Sequence, residues 1–216
     1  MNPPPVPPTP APEWHAAVSA ALDALHRGGV VAYPTETVWG LAAHPAFPEA
    51  VQRLRSEKGS AADKPLQVSC DSARQALLLA RPDGSLERLS GLWPGPLTVV
   101  TPGSALCPPA LMPQGKVGLR VPDHPVALEL LRRSGGFLVT TSCNRTGEPP
   151  ALTEQEARAT DLADLTLPDG GVPAGGQAST VVLLPGGLIL RRGILGEAQI
   201  RAALRGTALP PTGERP

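Results

Sequence analysis

Proline and glycine punctuation constrains this chain more than any other feature: 28 prolines and 23 glycines stand among 216 residues, nearly a quarter of the sequence. Proline cannot donate to a hydrogen-bond ladder and glycine takes the backbone angles of tight turns, so much of the chain must be turns and shaped loops. The apolar runs left between them are short. Val30-Val31-Ala32-Tyr33 is rich in β-branched residues, too short for a helix, and stopped by Pro34, which predicts a buried strand. The same signals predict strands over 66–70, 97–101, 117–121, 137–141, 180–184 and 188–191. Val18, Leu22 and Leu25 recur at helical spacing beside Ala17 and Ala21, with Gly28 and Gly29 as a stop, which predicts a helix over 13–27. Further helices are predicted over 48–58, 72–80, 85–92, 126–133, 154–159 and 197–204.

Strands interleaved with helices point to an α/β (α+β) layered domain. The stretch TVVLLPGGLILRR joins two apolar runs through Pro185, Gly186 and Gly187. That hairpin requires an antiparallel pairing, so the sheet is expected to mix parallel and antiparallel strands. The 22.3 kDa mass suits one domain, placed at 13–205. Seven prolines within residues 1–12 predict a disordered, extended leader, and the polar, proline-containing residues 206–216 a flexible tail.

Charge narrows the function. Nineteen basic residues balance nineteen acidic ones, so no diffuse positive field exists to hold a nucleic acid backbone tightly without regard to sequence. Weak tRNA binding would need a local basic groove. Without an apolar run of membrane-spanning length or a basic-then-apolar N-terminus, the expectation is a cytoplasmic protein with no membrane partner. Cys70, Cys107 and Cys143 form no CxxC pair, and the four histidines are scattered, so reduced thiols and no protein-held metal are expected. No Walker A loop, GxGxxG turn or GxSxG elbow is present, leaving P-loop phosphotransfer and hydride transfer unsupported.

Chemistry is sought at strand ends. Pro34-Thr35-Glu36-Thr37 and Thr141-Ser142-Cys143-Asn144-Arg145-Thr146-Gly147 place hydroxyl and amide groups where several donors can meet a small polar ligand. The same residues also serve as ordinary turn formers and caps. Sixteen of the nineteen basic residues are Arg, and the three lysines, Lys58, Lys64 and Lys116, fall in loops between predicted elements. Phosphate binding and plain solvation both fit that pattern. Arg120 in VGLRVP sits within a strand, where a guanidinium must reach solvent or meet an anion.

Seven blocks in order, GGVVAYPTETVWGLAA, EKGSAADKPL, LWPGPLTVV, VGLRVPDHP, TTSCNRTGEP, STVVLL and LRRGI, together resemble the YrdC/Sua5 family in its short, YrdC-like form. The resemblance implies a single twisted mixed sheet flanked by helices around a positively lined cavity. It also implies synthesis of L-threonylcarbamoyl-AMP and pyrophosphate from L-threonine, bicarbonate and ATP with Mg²⁺. A downstream transferase complex would then pass the group to adenosine 37 of tRNA, giving t6A. By the same resemblance, Thr37, Arg120 and Ser179 are threonine-site residues, with Lys58 and Arg120 the catalytic pair. Lys58, Lys64, Lys116, Ser142, Asn144 and Arg191 are the ATP-site residues. The sequence departs from the family at Ser60, where an Arg is usual, at Ser69, where a His is common, and at Trp39 in place of Tyr. Lys64, four residues beyond Ser60, is the candidate substitute for the missing cation. The alternatives are a non-catalytic relative that keeps the fold and binds nucleotide or RNA, and the carbamoyl-handling domain of hydrogenase maturation proteins, which normally lies in a longer chain with zinc-finger cysteines.

Overall fold

A computed structural model describes residues 13–57 and 67–207. The expected leader, Lys58, Ser60, Lys64, Leu66 and most of the expected tail lie outside the described residues. Helix α1 (Trp14–Leu25) leads into β1 (Val30–Tyr33), β2 (Gly40–Ala43), α2 (Pro48–Glu57) and β3 (Gln67–Cys70). Then come α3 (Ala73–Leu79), α4 (Gly84–Leu89), β4 (Leu97–Pro102) and β5 (Lys116–Arg120). The chain continues through α5 (Pro125–Arg133), β6 (Phe137–Ser142), α6 (Glu154–Ala159), β7 (Leu165–Thr166), β8 (Thr180–Leu183), β9 (Leu188–Arg191) and α7 (Glu197–Arg205).

Nine strands form one sheet in the order β7-β1-β2-β6-β3-β5-β4-β8-β9. It is mixed, as the hairpin required: β8 and β9 pair antiparallel, whereas β3–β5 and β4–β8 are parallel. Two strands escape the sequence reading. In β2, Gly40-Leu41-Ala42-Ala43 has no β-branched residue to mark it, and β7 is only two residues long. The expected helix over 85–92 divides into α4 and a 3₁₀ turn at Ser90–Leu92. Side chains supply the caps: Ser72 accepts from the Gln75 amide, Asp83 from those of Ser85 and Leu86, and Thr153 from that of Glu156.

Strand alternation separates two cores. Val68, Val99, Val117, Leu119 and Val139 point to the face covered by α2, α3, α4 and α7, where Leu54, Leu79, Leu86 and Ile200 meet them. On the other face, Val31, Tyr33, Ala42 and Leu138 pack with Leu22 and Leu25 of α1 and Leu130 and Leu131 of α5. That second core ends partway along the sheet. Positions on the same face of β3, β5 and β4 hold Gln67, Ser69, Arg120 and Thr98 instead of aliphatics. A sheet face that changes from apolar to polar along its length is where the functional site must lie.

Two consequences are measurable. A Cβ at Gly193 would stand 2.3 Å from the Ala178 carbonyl oxygen and 2.4–2.5 Å from backbone atoms of Ser179 and Thr180, contacts that no flexible side chain can relieve. Gly193→Ala is expected to destabilise the fold by about 2 kcal/mol or more, read by urea unfolding. His124, fully buried at the start of α5, has its pKa lowered by burial, which outweighs the carbonyl of Val172 and the charges of Glu36 and Asp169. The unfolded chain therefore takes up this proton first. Stability is full above the ordinary value of 6.5 and falls as pH drops below it, and His124→Gln is expected to flatten that slope in urea titrations between pH 8 and 5.

Candidate functional site

The polar part of the sheet lines a cavity of about 280 Å³ whose wall includes Tyr33, Thr35, Gln67, Arg120, Ser142, Ser179 and Arg191. These residues come from the ends of β1, β3, β5, β6 and β9 and from the residue before β8, so the strand order alone brings distant sequence together. Gly40 on the same wall has a specific reason to be glycine: a Cβ there would lie 2.7 Å from the Tyr33 ring.

Arg120 is the buried cation. Its side chain is 6% exposed, and its Nη2 donates to Glu36 Oε1 at 2.9 Å and Thr37 Oγ1 at 2.7 Å, with a longer contact to Thr35 Oγ1 at 3.5 Å. Two atoms of this ion pair, Arg120 Nε and Glu36 Oε2, are buried without a partner among the described residues. The loop bearing Glu36 is clamped from above, since the Gly175 amide donates to the Glu36 carbonyl and the Gly176 amide to the Thr37 carbonyl. Thr37 is fully buried and outside the cavity wall, so its hydroxyl serves Arg120 directly.

Arg191 is the second cation. Its Nε donates to the Ser179 carbonyl at 3.1 Å and its Nη2 to Ser179 Oγ at 3.0 Å. Burial, and then the nearby Arg120 charge, push its pKa below the ordinary value. Among the described residues Arg191 forms no ion pair with a carboxylate. Two guanidinium groups thus share one hollow whose lining, among the described residues, holds no carboxylate, Glu36 meeting Arg120 from outside the wall, an arrangement that favours an anionic ligand.

From Arg191 a chain of hydrogen bonds runs along the cavity floor. Ser179 Oγ lies 2.9 Å from Thr98 Oγ1, which donates to Gln67 Oε1 at 3.0 Å. Gln67 Nε2 donates to Ser69 Oγ at 3.3 Å and Thr140 Oγ1 at 3.2 Å, and the Tyr33 hydroxyl meets Ser69 Oγ at 3.2 Å. Gln67 lies opposite Gly118 of β5, and its side chain reaches Thr98 on β4. Sequence reasoning missed Gln67, Thr98, Thr140 and Glu36. A polar residue alternating with buried ones on a strand reads as a solvent-facing position, and Glu36 reads as a turn residue.

The other expected site residues are placed as follows. Ser142 lines the cavity and its hydroxyl donates to Asn144 Oδ1 at 2.7 Å. Asn144 stands off the wall and uses its Nδ2 to hold the carbonyls of Arg145 and Glu148, shaping the loop. Lys116 is half-buried at the far end of β5, four residues from Arg120 or about 13 Å along the strand, and it does not line the cavity. Ser69 is fully buried beneath Gln67 and Tyr33 instead of on the wall. Among the described residues no group of three or more His, Cys, Asp or Glu side chains could hold a metal ion, and no helix is long and apolar enough to cross a membrane.

Known proteins share this architecture. The Sua5/YciO/YrdC family model, described as telomere recombination, matches residues 23–193. A threonylcarbamoyl-AMP synthase of Thiobacillus denitrificans is 38% identical over 170 residues, covering 77% of this chain and 90% of that protein. The one of Bacillus subtilis is 36% identical over 198 residues, covering 87% of this chain and 56% of the longer relative. Among solved structures, Sua5 of P. abyssi complexed with L-threonine superposes with a TM-score of 0.77 at 31% identity, covering 86% of this chain and 56% of that one. YciO of E. coli, at 22% identity, shares the fold with a TM-score of 0.77 and coverages of 86% and 92%. By the family model and by identity over most of its length, this chain belongs to the Sua5/YciO/YrdC family.

Proposed function

We propose that this protein is a threonylcarbamoyl-AMP synthase, converting L-threonine, bicarbonate and Mg·ATP into L-threonylcarbamoyl-AMP and pyrophosphate. The observation that carries the reading is the meeting of Arg120 and Arg191 with strand-end hydroxyls around one cavity. The names of the relatives support the reaction, and the threonine complex of the P. abyssi protein supports the amino acid. The product would then pass to a transferase complex that modifies tRNA.

The chemistry asks for positioning more than for a protein nucleophile. The threonine ammonium gives up a proton, the resulting amine adds to the carbon of bicarbonate, water leaves, and a carbamate results. A carbamate oxygen then attacks the α-phosphorus of ATP as the bond to the β-phosphate oxygen breaks and pyrophosphate departs. Every participant is an anion or a zwitterion, and charge builds on phosphate oxygens in the transition state. Fixed cations and dipoles that need no reorganisation are the effective catalysts. Arg120, braced through Nη2 and lining the cavity, would offer its remaining guanidinium N–H groups to the amino acid carboxylate or the nascent carbamate, both planar anions suited to a guanidinium fork. Arg191 faces the phosphates, and Ser179 the amino acid.

On the nucleotide side, Ser142 contacts ATP at the wall while Asn144 keeps its loop in shape. Lys58 and Lys64, from the segment over 58–66, supply phosphate contacts, with Lys64 replacing the cation missing at Ser60. Lys116, on the same face of β5 as Arg120, serves the distal end of the triphosphate. Mg²⁺ would enter as the Mg·ATP complex, its charge carried by the phosphates.

Purified protein is expected to release pyrophosphate only when threonine, bicarbonate and Mg·ATP are all present, and saturable ATP binding without turnover would sink the proposal. Arg120→Lys keeps the charge and loses the fork. It is expected to lower kcat/KM about a hundredfold, near 3 kcal/mol, with the circular dichroism spectrum unchanged. Lys58→Ala should abolish pyrophosphate release and Lys64→Ala reduce it at least about tenfold. An unchanged rate in Lys64→Ala would show that Lys64 does not replace the missing Arg.

A further inference from the structure

The hydrogen-bond chain under the cavity has a direction, and the direction decides what its members can offer a ligand. A guanidinium only donates and an amide carbonyl only accepts. Thr98 spends its one proton on Gln67 Oε1, so the 2.9 Å contact between Thr98 and Ser179 must be donated by Ser179. Ser179 Oγ meanwhile accepts from Arg191 Nη2. Its proton is spent, and toward the cavity it can only accept. Gln67 is in the same position: both N–H bonds go to Ser69 and Thr140, while Oε1 has used one of its two lone pairs. Gln67 and Ser179 both line the cavity. The wall they form is therefore acceptor-only, whereas the Arg120 guanidinium can only donate. A carboxylate fits the guanidinium and is refused by this wall, which calls for a ligand O–H or N–H.

We propose that Gln67 is a specificity-determining residue: its Oε1, with Ser179 Oγ, accepts the hydrogen bond of the substrate's β-hydroxyl, and through Thr98 it keeps Ser179 in the accepting orientation. The proposal rests on the amino acid reading of the site given above. An isosteric apolar side chain such as that of valine would bury both acceptors without a donor, which is how a site built around a hydroxyl rejects analogues that lack it.

The test is the ratio of L-threonine to L-valine affinity, measured by calorimetry on the full chain, alongside the thermal midpoint of each variant. The unsubstituted protein is expected to bind threonine at least about a hundredfold tighter than valine. Gln67→Leu should bring the ratio within about tenfold by weakening threonine. Thr98→Val keeps the shape of a residue outside the cavity wall and frees the Ser179 proton. It should weaken threonine about tenfold with valine unchanged, and it serves as the measure if Gln67→Leu does not fold. A threonine-to-valine ratio unchanged in both variants, with threonine still bound, overturns the role of Gln67 alone. Absence of threonine binding in the unsubstituted protein overturns the amino acid reading together with it.

Discussion

The buried Arg120 guanidinium is the constraint on which the rest of the molecule depends. A cation at 6% exposure costs several kcal/mol in lost solvation unless the fold answers it. The answer comes from Glu36 and Thr37, 84 and 83 residues away in sequence, so the β1–β2 connection has to close onto the end of β5. The glycine-rich loop before β8 then has to lie on that connection, where Gly175 and Gly176 donate to its carbonyls. Three segments with no local reason to meet are held together by one charge. Even so, among the described residues Arg120 Nε and Glu36 Oε2 stay unpaired, and a fold optimised only for stability would not leave two such atoms buried.

What could be read in advance follows the range of the interactions. The strands with β-branched runs and the helices with aliphatic spacing were legible because local composition determines them. The mixed sheet was legible from a single hairpin. Arg120 stood out as a charge inside an apolar run, although the sequence could not say that its first partner is a carboxylate from the PTET loop. The hydroxyls of Thr98 and Thr140 and the carboxamide of Gln67 left no signal, because a polar residue on a strand looks the same whether it faces water or a cavity floor. Asn144 and Lys116 show the converse: a motif position names a residue without saying whether its side chain lines the cavity, and neither of these does.

The division of one sheet face into an apolar and a polar region explains how a single layer serves both folding and chemistry. Helices α1 and α5 complete a core over Val31, Ala42 and Leu138, and their burial stabilises the fold regardless of any ligand. Farther along the same face, polar side chains take over, each hydrogen-bonded to the next, so the floor is fixed before a ligand arrives. Fixed dipoles are what charge-separating chemistry requires.

The position of the second cation depends on an irregularity that no propensity scale detects. In the β8–β9 hairpin Leu183 pairs with Leu188 and Val182 with Ile189, but Val181 pairs with Arg191, leaving Leu190 as an extra residue. In a regular hairpin Leu190 would oppose Val181, and Arg191 would share the face of Ile189 and Val182, which belongs to the large apolar core. One inserted residue moves Arg191 to the face of Val181, whose neighbour on β4 is Thr98 of the cavity floor. Gly193 then lets the following backbone press against Ala178–Thr180, bringing Ser179 under the guanidinium. A bulge of one residue, held by one glycine, thus turns a position facing the apolar core into a cation on the cavity wall.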